Sequence, residues 1–322
     1  MRKKKILKIS ITVIVVLLVA ILGVSNYLFE YAITRKGDGG NRQVKVANKV
    51  DLKKDSIPYQ IQMTKEEYQE EARIYFKSNK PKEDIVRTKD GLHLKIYSLT
   101  YPNSKKWALL IHGYRSNHKK MYEYAYIYSK NGYNVVIPDL RASGTSEGKY
   151  LGMGILDKDD MKEVLKWIKK QNEQAEIVVQ GNSMGATTAL LLAGEKEAEQ
   201  VKAFVADAGY TSAYDIFKSE LQLRFHLPSF PFLDIANVIC RLRAGYSFNE
   251  ISALKAVAKA NKPILFIHGK KDRFVPFEMM EKLYQAKKVG KKEKLVADNA
   301  AHVESLFELG EEYEKKIMDF IK

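Results

Sequence analysis

Residues 176–193 read E-I-V-V-Q-G-N-S-M-G-A-T-T-A-L-L-L-A. The first five are a β-branched apolar run, the pattern of a buried strand, and residues 186–193 are a helix-forming run. Between them stands Gly181-Asn182-Ser183-Met184-Gly185. A Gly-x-Ser-x-Gly turn from strand to helix needs small flanking residues because it is tight. It strains the serine backbone and lifts Oγ above the sheet, where a base can reach it. Serine is also a favoured helix N-cap, which is the plainer reading of Ser183.

Apolar runs on either side repeat the strand pattern at 107–111, 134–138, 177–180, 203–206, 263–268 and 294–297, with helical patterns at 119–131, 158–170 and 187–195 between them. Such alternation predicts an α/β fold, with a mostly parallel sheet covered by helices on both faces. Residues 85–89 and 92–97 alternate around Asp90-Gly91, which predicts an antiparallel hairpin with a type I′ turn at the edge of that sheet. Thr64 and Glu67 form a capping-box signature, predicting a helix over 64–78. Residues 210–261 break the alternation: they are rich in Phe and Leu, carry Pro228 and Pro231, and read as a helical insertion. Its length favours a lid over the site; an ordinary crossover with an irregular loop is the alternative.

The 322 residues are 45% hydrophobic and 29% charged, enough for one large domain plus an appendage. The net charge of +15 comes with no basic motif interleaved with aromatics, so nucleic acid is not an expected partner. Lysines such as Lys105, Lys106, Lys119, Lys120, Lys287, Lys288, Lys291 and Lys292 read as a solvated surface. Such a surface suits anionic lipid headgroups or cell-wall polymers. The single cysteine, Cys240, excludes an intrachain disulfide, fits no metal-ligand spacing, and reads as a small buried apolar residue.

Arg2, Lys3, Lys4, Lys5 and Lys8 precede an uncharged stretch over 9–29. That stretch is long enough to cross a hydrocarbon core of about 30 Å. It exceeds a signal-peptide apolar region and lacks an A-x-A site, so a retained anchor is favoured over a cleaved signal. Only Arg35 and Lys36 follow closely, so the positive-inside rule puts the N-terminus in the cytoplasm and the rest outside. The expected organisation is an anchor over 1–34, a polar tether over 35–56 containing Gly37, Gly39 and Gly40, and a catalytic domain over 57–322. Few cysteines, many lysines and a short basic head suggest a bacterial chain.

A serine nucleophile needs a histidine to take its proton, and that histidine needs a carboxylate to fix its tautomer. Of six histidines, His112 and His268 end strands, His93 lies on the hairpin, His118 in a polar loop and His226 in the insertion. His302 follows the last strand in a small-residue loop, D-N-A-A-H, where a late histidine can swing over the turn. Asp272 lies in H-G-K-K-D-R-F-V-P over 268–276, after a strongly apolar strand. Asp207, in V-A-D-A-G-Y, is the rival acid. Each candidate has a plainer reading: Asp272 as a turn cap, His302 as a surface residue. Asp139 and Arg141 are expected to pair with each other and steady their loop.

Together, I-H-G-Y at 111–114, P-D-L-R-A-S-G-T-S-E-G at 138–148, G-N-S-M-G-A-T at 181–187, H-G-K-K-D-R-F-V-P at 268–276 and A-H at 301–302 resemble the α/β-hydrolase superfamily. The likeness is to its bacterial, membrane-anchored, serine-aminopeptidase-like and esterase branch, and it covers roughly 80–322. It implies Ser183 as nucleophile, His302 as base, Asp272 as acid, and an oxyanion hole from the backbone N–H groups of Tyr114 and Met184. Two residues depart from the family pattern: Ser143 where relatives often carry His, and Asn182 before the nucleophile. Neither removes a catalytic group.

The expected function is acyl transfer without metal or organic cofactor, on a small-molecule ester or peptide substrate. Carboxylic ester cleavage comes first and peptide or amide cleavage second, with lipid esters open because the anchor holds the site near a bilayer. A non-catalytic binding protein on the same fold is the alternative from another class. The oligomeric state is not legible in the chain.

Overall fold

The computed structural model describes residues 2–36, 53 and 56–322. Most of the expected tether, including Gly37, Gly39 and Gly40, lies outside the described residues.

Among those residues an eight-stranded sheet runs in the order β1-β2-β4-β3-β5-β6-β7-β8. The strands are β1 (Lys82–Arg87), β2 (His93–Leu99), β3 (Lys106–Ile111), β4 (Asn134–Pro138), β5 (Glu176–Asn182), β6 (Val201–Asp207), β7 (Ile264–Gly269) and β8 (Lys292–Ala297). β1 and β2 are antiparallel to their neighbours, and the remaining pairs are parallel. The edge hairpin on a mostly parallel sheet is therefore as expected.

The helices are α1 (Arg2–Ile33), α2 (Ile57–Ser78), α3 (Tyr122–Lys130), α4 (Ile155–Gln171), α5 (Met184–Ala193), α6 (Ala213–Phe225), α7 (Phe232–Ala244), α8 (Ala253–Lys259), α9 (Phe277–Ala286), α10 (Ser305–Leu309) and α11 (Glu311–Ile321). Alternate residues of the central strands feed two cores. Leu109, Ile111, Ile177 and Val179 pack with α4, α5, α8 and α9 on one face. Ala108, Leu110, Val178 and Val205 pack with α2, α3 and α11 on the other. Burial on both faces is why these strands read as unbroken apolar runs. All of α5 is buried, because it is closed in between the sheet, α4 and α8.

Four local expectations need correction. The hairpin loop is not type I′, since Asp90 does not adopt positive φ whereas Gly91 does (φ 91°). Thr88 and Leu92 close a three-residue loop, with Gly91 N–H donating to Thr88 O at 3.1 Å, a type I turn followed by a left-handed glycine. The Thr88 hydroxyl drives this by donating to Asp90 at 2.5 Å and accepting from Leu92 N–H at 2.9 Å. α2 starts at Ile57 rather than Thr64, because Ser56 caps it and a proline occupies its first turn. Lys287 is not on the surface: it is buried and donates to the Ala260 carbonyl at 2.9 Å and to Val289, and burial holds its ammonium below the usual lysine range. His118 opens a short 3-10 turn over His118–Met121 and is buried, rather than lying in a polar loop. Cys240 is buried and unpaired.

α1 is long and apolar enough, by length and composition, to cross a bilayer. Its last two turns lie on the folded domain: Ser25, Phe29 and Ile33 are fully buried. Thr34 bridges Tyr150, Leu151 N–H donates to Ile33 O at 2.8 Å, and Arg243 of α7 pairs with Glu30 at 2.6 Å.

Candidate active site

The turn from β5 to α5 is held by close backbone approach. A Cβ on Gly181 would lie 2.1 Å from Gly185 O, and one on Gly185 would lie 2.0 Å from Ile111 O. Only glycine fits either place. Ser183 between them sits at φ 56°, ψ −117° and makes no side-chain cap bond to α5. A non-glycine residue there is strained, and Ser183 N–H donating to Asp207 O at 2.8 Å holds it. The side chain is spared for another partner.

That partner is His302. Its Nε2 is 2.9 Å from Ser183 Oγ and its Nδ1 is 2.7 Å from Asp272 Oδ2. Two loops are pinned together to achieve this. Lys270 N–H donates to Ala297 O at 2.8 Å and Lys271 N–H to Ala300 O at 3.0 Å. Gly269 lets them touch, since a Cβ there would lie 2.2 Å from Ala300 O. Val303, directly after the histidine, is held at φ 59°, an unfavourable conformation for a β-branched residue. Phe274 packs on the His302 ring at 4.8 Å.

Asp272 Oδ1 accepts the Phe274 and Val275 N–H groups at 2.9 and 2.8 Å. Its Oδ2 also lies 3.3 Å from His268 Nε2. Burial opposes its ionisation, yet hydrogen bonds from His268 and His302 hold the carboxyl well below the usual range. Asp207 is fully buried and turns away: its Oδ2 accepts the Tyr313 hydroxyl at 2.9 Å. Burial pushes this carboxyl up to about 6, against the Tyr313 bond.

Asp139 and Arg141 do not pair with each other. Asp139 accepts His118 N–H and Nδ1–H at 2.7 and 2.9 Å and Thr145 N–H at 2.8 Å. Gly144 makes room for it, since a Cβ there would lie 2.1 Å from Asp139 Oδ2. Arg141 is bidentate to Asp160 at 2.6 and 2.7 Å and reaches Asp90 at 3.0 Å. Both residues do steady their loop, each through a partner remote in sequence.

Residues 107–231 match the family model described as alpha/beta hydrolase fold. Over 238 residues the chain is 33% identical to protein YqkD of Bacillus subtilis (strain 168), spanning 74% of this chain and 78% of that one. The chain belongs to the α/β-hydrolase superfamily. Among solved structures, the Pyrococcus furiosus esterase Pf2001 aligns at 27% identity with a TM-score of 0.62, over 76% of this chain and 92% of that one. An acylaminoacyl peptidase of Pyrococcus horikoshii shares the fold, at 19% identity and a TM-score of 0.58, over 77% of this chain and 42% of that one.

In this α/β-hydrolase the loop after β3 faces the serine. A Cβ on Gly113 would lie 3.3 Å from Ser183 Cβ. His112 fastens this loop: Nδ1 donates to Gly113 O at 2.7 Å and Nε2 accepts Leu140 N–H at 3.0 Å. Burial lowers its pKa to about 4, so the ring stays neutral and keeps both bonds. Tyr114 follows and lines the same pocket as Ser183. Its hydroxyl donates to Ala32 O at 2.7 Å, so the phenol is committed to α1. Met184 opens α5, where first-turn N–H groups have no partner within the helix.

The pocket above Ser183 is mainly apolar, with walls from α6 (Phe217, Leu221, Phe225), from α7 (Leu233, Ala236) and from the end of α1. Sequence reasoning missed that last wall; it placed His112 and His268 at strand ends, as found, but not their bonds to Leu140 and Asp272. Among the described residues no cluster of three or more His, Cys, Asp or Glu side chains is arranged to hold a metal ion.

Proposed function

We propose that this chain is a serine hydrolase that cleaves carboxylic esters through an acyl-enzyme. The observation that carries the reading is one imidazole bridging Ser183 Oγ at 2.9 Å and Asp272 Oδ2 at 2.7 Å. Ser183 Oγ adds to the ester carbonyl as its proton passes to His302 Nε2. Asp272, kept ionised, stabilises the resulting imidazolium and fixes its orientation. The oxyanion is received by the backbone N–H groups of Met184 and Tyr114, each worth about 3 kcal/mol to the transition state. Collapse breaks the bond to the leaving alcohol, which departs with the proton from Nε2. Water then gives a proton to His302 and adds to the acyl carbon; release of the acid returns the proton to Ser183. The likeness to an esterase over nearly its full length and the apolar pocket favour an ester with an apolar acyl group.

In the same reading α1 anchors the chain in a membrane. Residues 1–34 are the anchor, 35–56 the tether and 57–322 the catalytic domain outside the cytoplasm, with the insertion at 210–261 lying over the site as a lid. The basic cluster before the apolar run supports that orientation.

A fluorophosphonate probe tests the chemistry. Wild-type protein labels and Ser183→Ala does not; folded wild type that fails to label sinks the reading. Protease shaving of intact cells tests the topology: the catalytic domain is lost from outside, and full protection until lysis contradicts the orientation.

A further inference from the structure

The end of α1 lines the same pocket as Ser183, through Leu28, Phe29, Tyr31 and Ala32. These residues are fixed in place. Phe29 is fully buried and Arg243 of α7 lies 4.8 Å over its ring. Arg115 donates to Tyr31 O at 2.9 Å and Thr34 O at 2.8 Å, and its Nε reaches the Tyr114 hydroxyl at 3.0 Å. A cation on the last carbonyls of a helix is a favourable cap. Here the cap belongs to the loop beside the serine, so that loop and the end of α1 form one rigid piece.

An apolar path leads outward from this pocket. Tyr31 meets Phe225 edge-on at 5.5 Å, and Tyr27, one turn earlier, stacks on Tyr31 at 5.8 Å. Tyr27 is 54% exposed, and the large apolar side chains of α1 over residues 6–19 are exposed. Leu223 of α6 and Val238 and Leu242 of α7 are also exposed, Leu242 by 81%. Val238 and Leu242 are one turn apart on α7, the helix that packs along α1. Exposed apolar groups along α1 and on the α7 that packs against it mark an interaction surface. This one is continuous with a segment of bilayer-crossing length, so the occupant that fits is lipid.

We propose that the last two turns of α1 are part of the substrate site, and that the substrate is a long-chain ester whose acyl chain enters from the leaflet in which α1 stands. The inference rests on the serine hydrolase reading and deepens it. The acyl-transfer step is unchanged; what α1 adds is selection of the chain. The leaving group stays at the water side while the chain lies between α1, α6 and α7.

The test uses the full chain reconstituted in phosphatidylcholine vesicles. It is given p-nitrophenyl acetate from water and p-nitrophenyl palmitate dissolved in the bilayer, with fluorophosphonate labelling of Ser183 in parallel. Palmitate is expected to exceed acetate in kcat/KM by about tenfold or more. Leu28→Trp, which fills the pocket, and Ala32→Leu are each expected to cut that ratio by about tenfold. Circular dichroism checks folding; if Leu28→Trp does not fold, the wild-type ratio and Ala32→Leu still decide. A wild-type preference for acetate, or a ratio that the folded variants leave unmoved, overturns the inference. If Ser183 labels in either case, the hydrolase reading stands and only the role of α1 falls. If wild type does not label, both fall.

Discussion

Asp272 holds His302 at 2.7 Å through one carboxylate oxygen while its other oxygen is fastened by two loop N–H groups. The carboxylate is thus held at both ends, and the ring it bonds reaches Ser183 at 2.9 Å. Asp207, the rival from the sequence, has its backbone on Ser183 N–H and its carboxylate on Tyr313. The two aspartates therefore separate cleanly by mutation. We expect Asp272→Asn to lower kcat by about 10³- to 10⁴-fold with little change in KM, because the ring loses its tautomer and its counter-charge. Asp207→Asn is expected to keep turnover within about threefold of wild type on the same scale. The reverse ranking with p-nitrophenyl esters would reassign the acid.

Asp207 predicts a pH signature in stability instead. Burial pushes its carboxyl up to about 6 in the folded chain, against about 3.9 when unfolded. Between those values the folded chain retains a proton that the unfolded chain has lost, so stability falls as pH rises from about 4 to 6 and stays reduced above. Asp207→Asn removes that loss. Relative to wild type, the variant gains about 3 kcal/mol on going from pH 3 to pH 8, measured by urea unfolding at both pH values. An equal difference at the two pH values contradicts the assignment.

The turn itself predicts a severe glycine substitution. The Cβ of Gly185→Ala would meet Ile111 O at 2.0 Å and His112 O at 2.7 Å. Both are backbone atoms of the sheet and the loop beside Ser183, with no flexible side chain to yield. We expect a loss above about 3 kcal/mol or failure to accumulate soluble protein. A melting temperature within a few degrees of wild type would mean that the approach is looser than described.

Arg141 is buried on Asp160 and reaches Asp90. Arg141→Met leaves the Asp160 carboxylate buried without its partner and is expected to cost about 3–5 kcal/mol in urea unfolding. Adding Asp160→Leu is expected to recover at least half of that loss, because the carboxylate that Arg141 directly pairs is then removed with it. A double variant as unstable as the single one would show that the loop depends on Arg141 through its other contacts.

Much of the scaffold was legible because its signals are local. The run over 176–193 carries strand, turn and helix in sequence, and the small residues at 181 and 185 are demanded by contacts within that turn and with the next strand. Ser183, Asp272 and His302 each follow a readable strand, which is why loop position could single out three side chains that the structure brings together. The strand order, which places β4 between β2 and β3, is set by long-range pairing that no local pattern encodes. Asp90-Gly91 gave a turn but the wrong type, because the Thr88 hydroxyl intervenes from two residues away. Thr64 and Glu67 match a capping box inside a helix that Ser56 and a first-turn proline had already started. Arg141 acts through Asp160 and Asp90, and His112 in part through Leu140, partners remote in sequence, so their residue type alone said little. The end of α1 was hidden for a different reason: apolar side chains that face lipid and apolar side chains that face a pocket have the same composition.

The activity proposed for this chain requires that acyl transfer pass through Ser183. The most direct measurement mixes the full chain with p-nitrophenyl butyrate, quenches in acid within the first turnover, and weighs the digested peptides. A butyryl group on the peptide carrying Ser183, absent from Ser183→Ala together with p-nitrophenol release, is the result expected. A butyryl group carried by a different residue, or p-nitrophenol release that persists undiminished in Ser183→Ala, would contradict it.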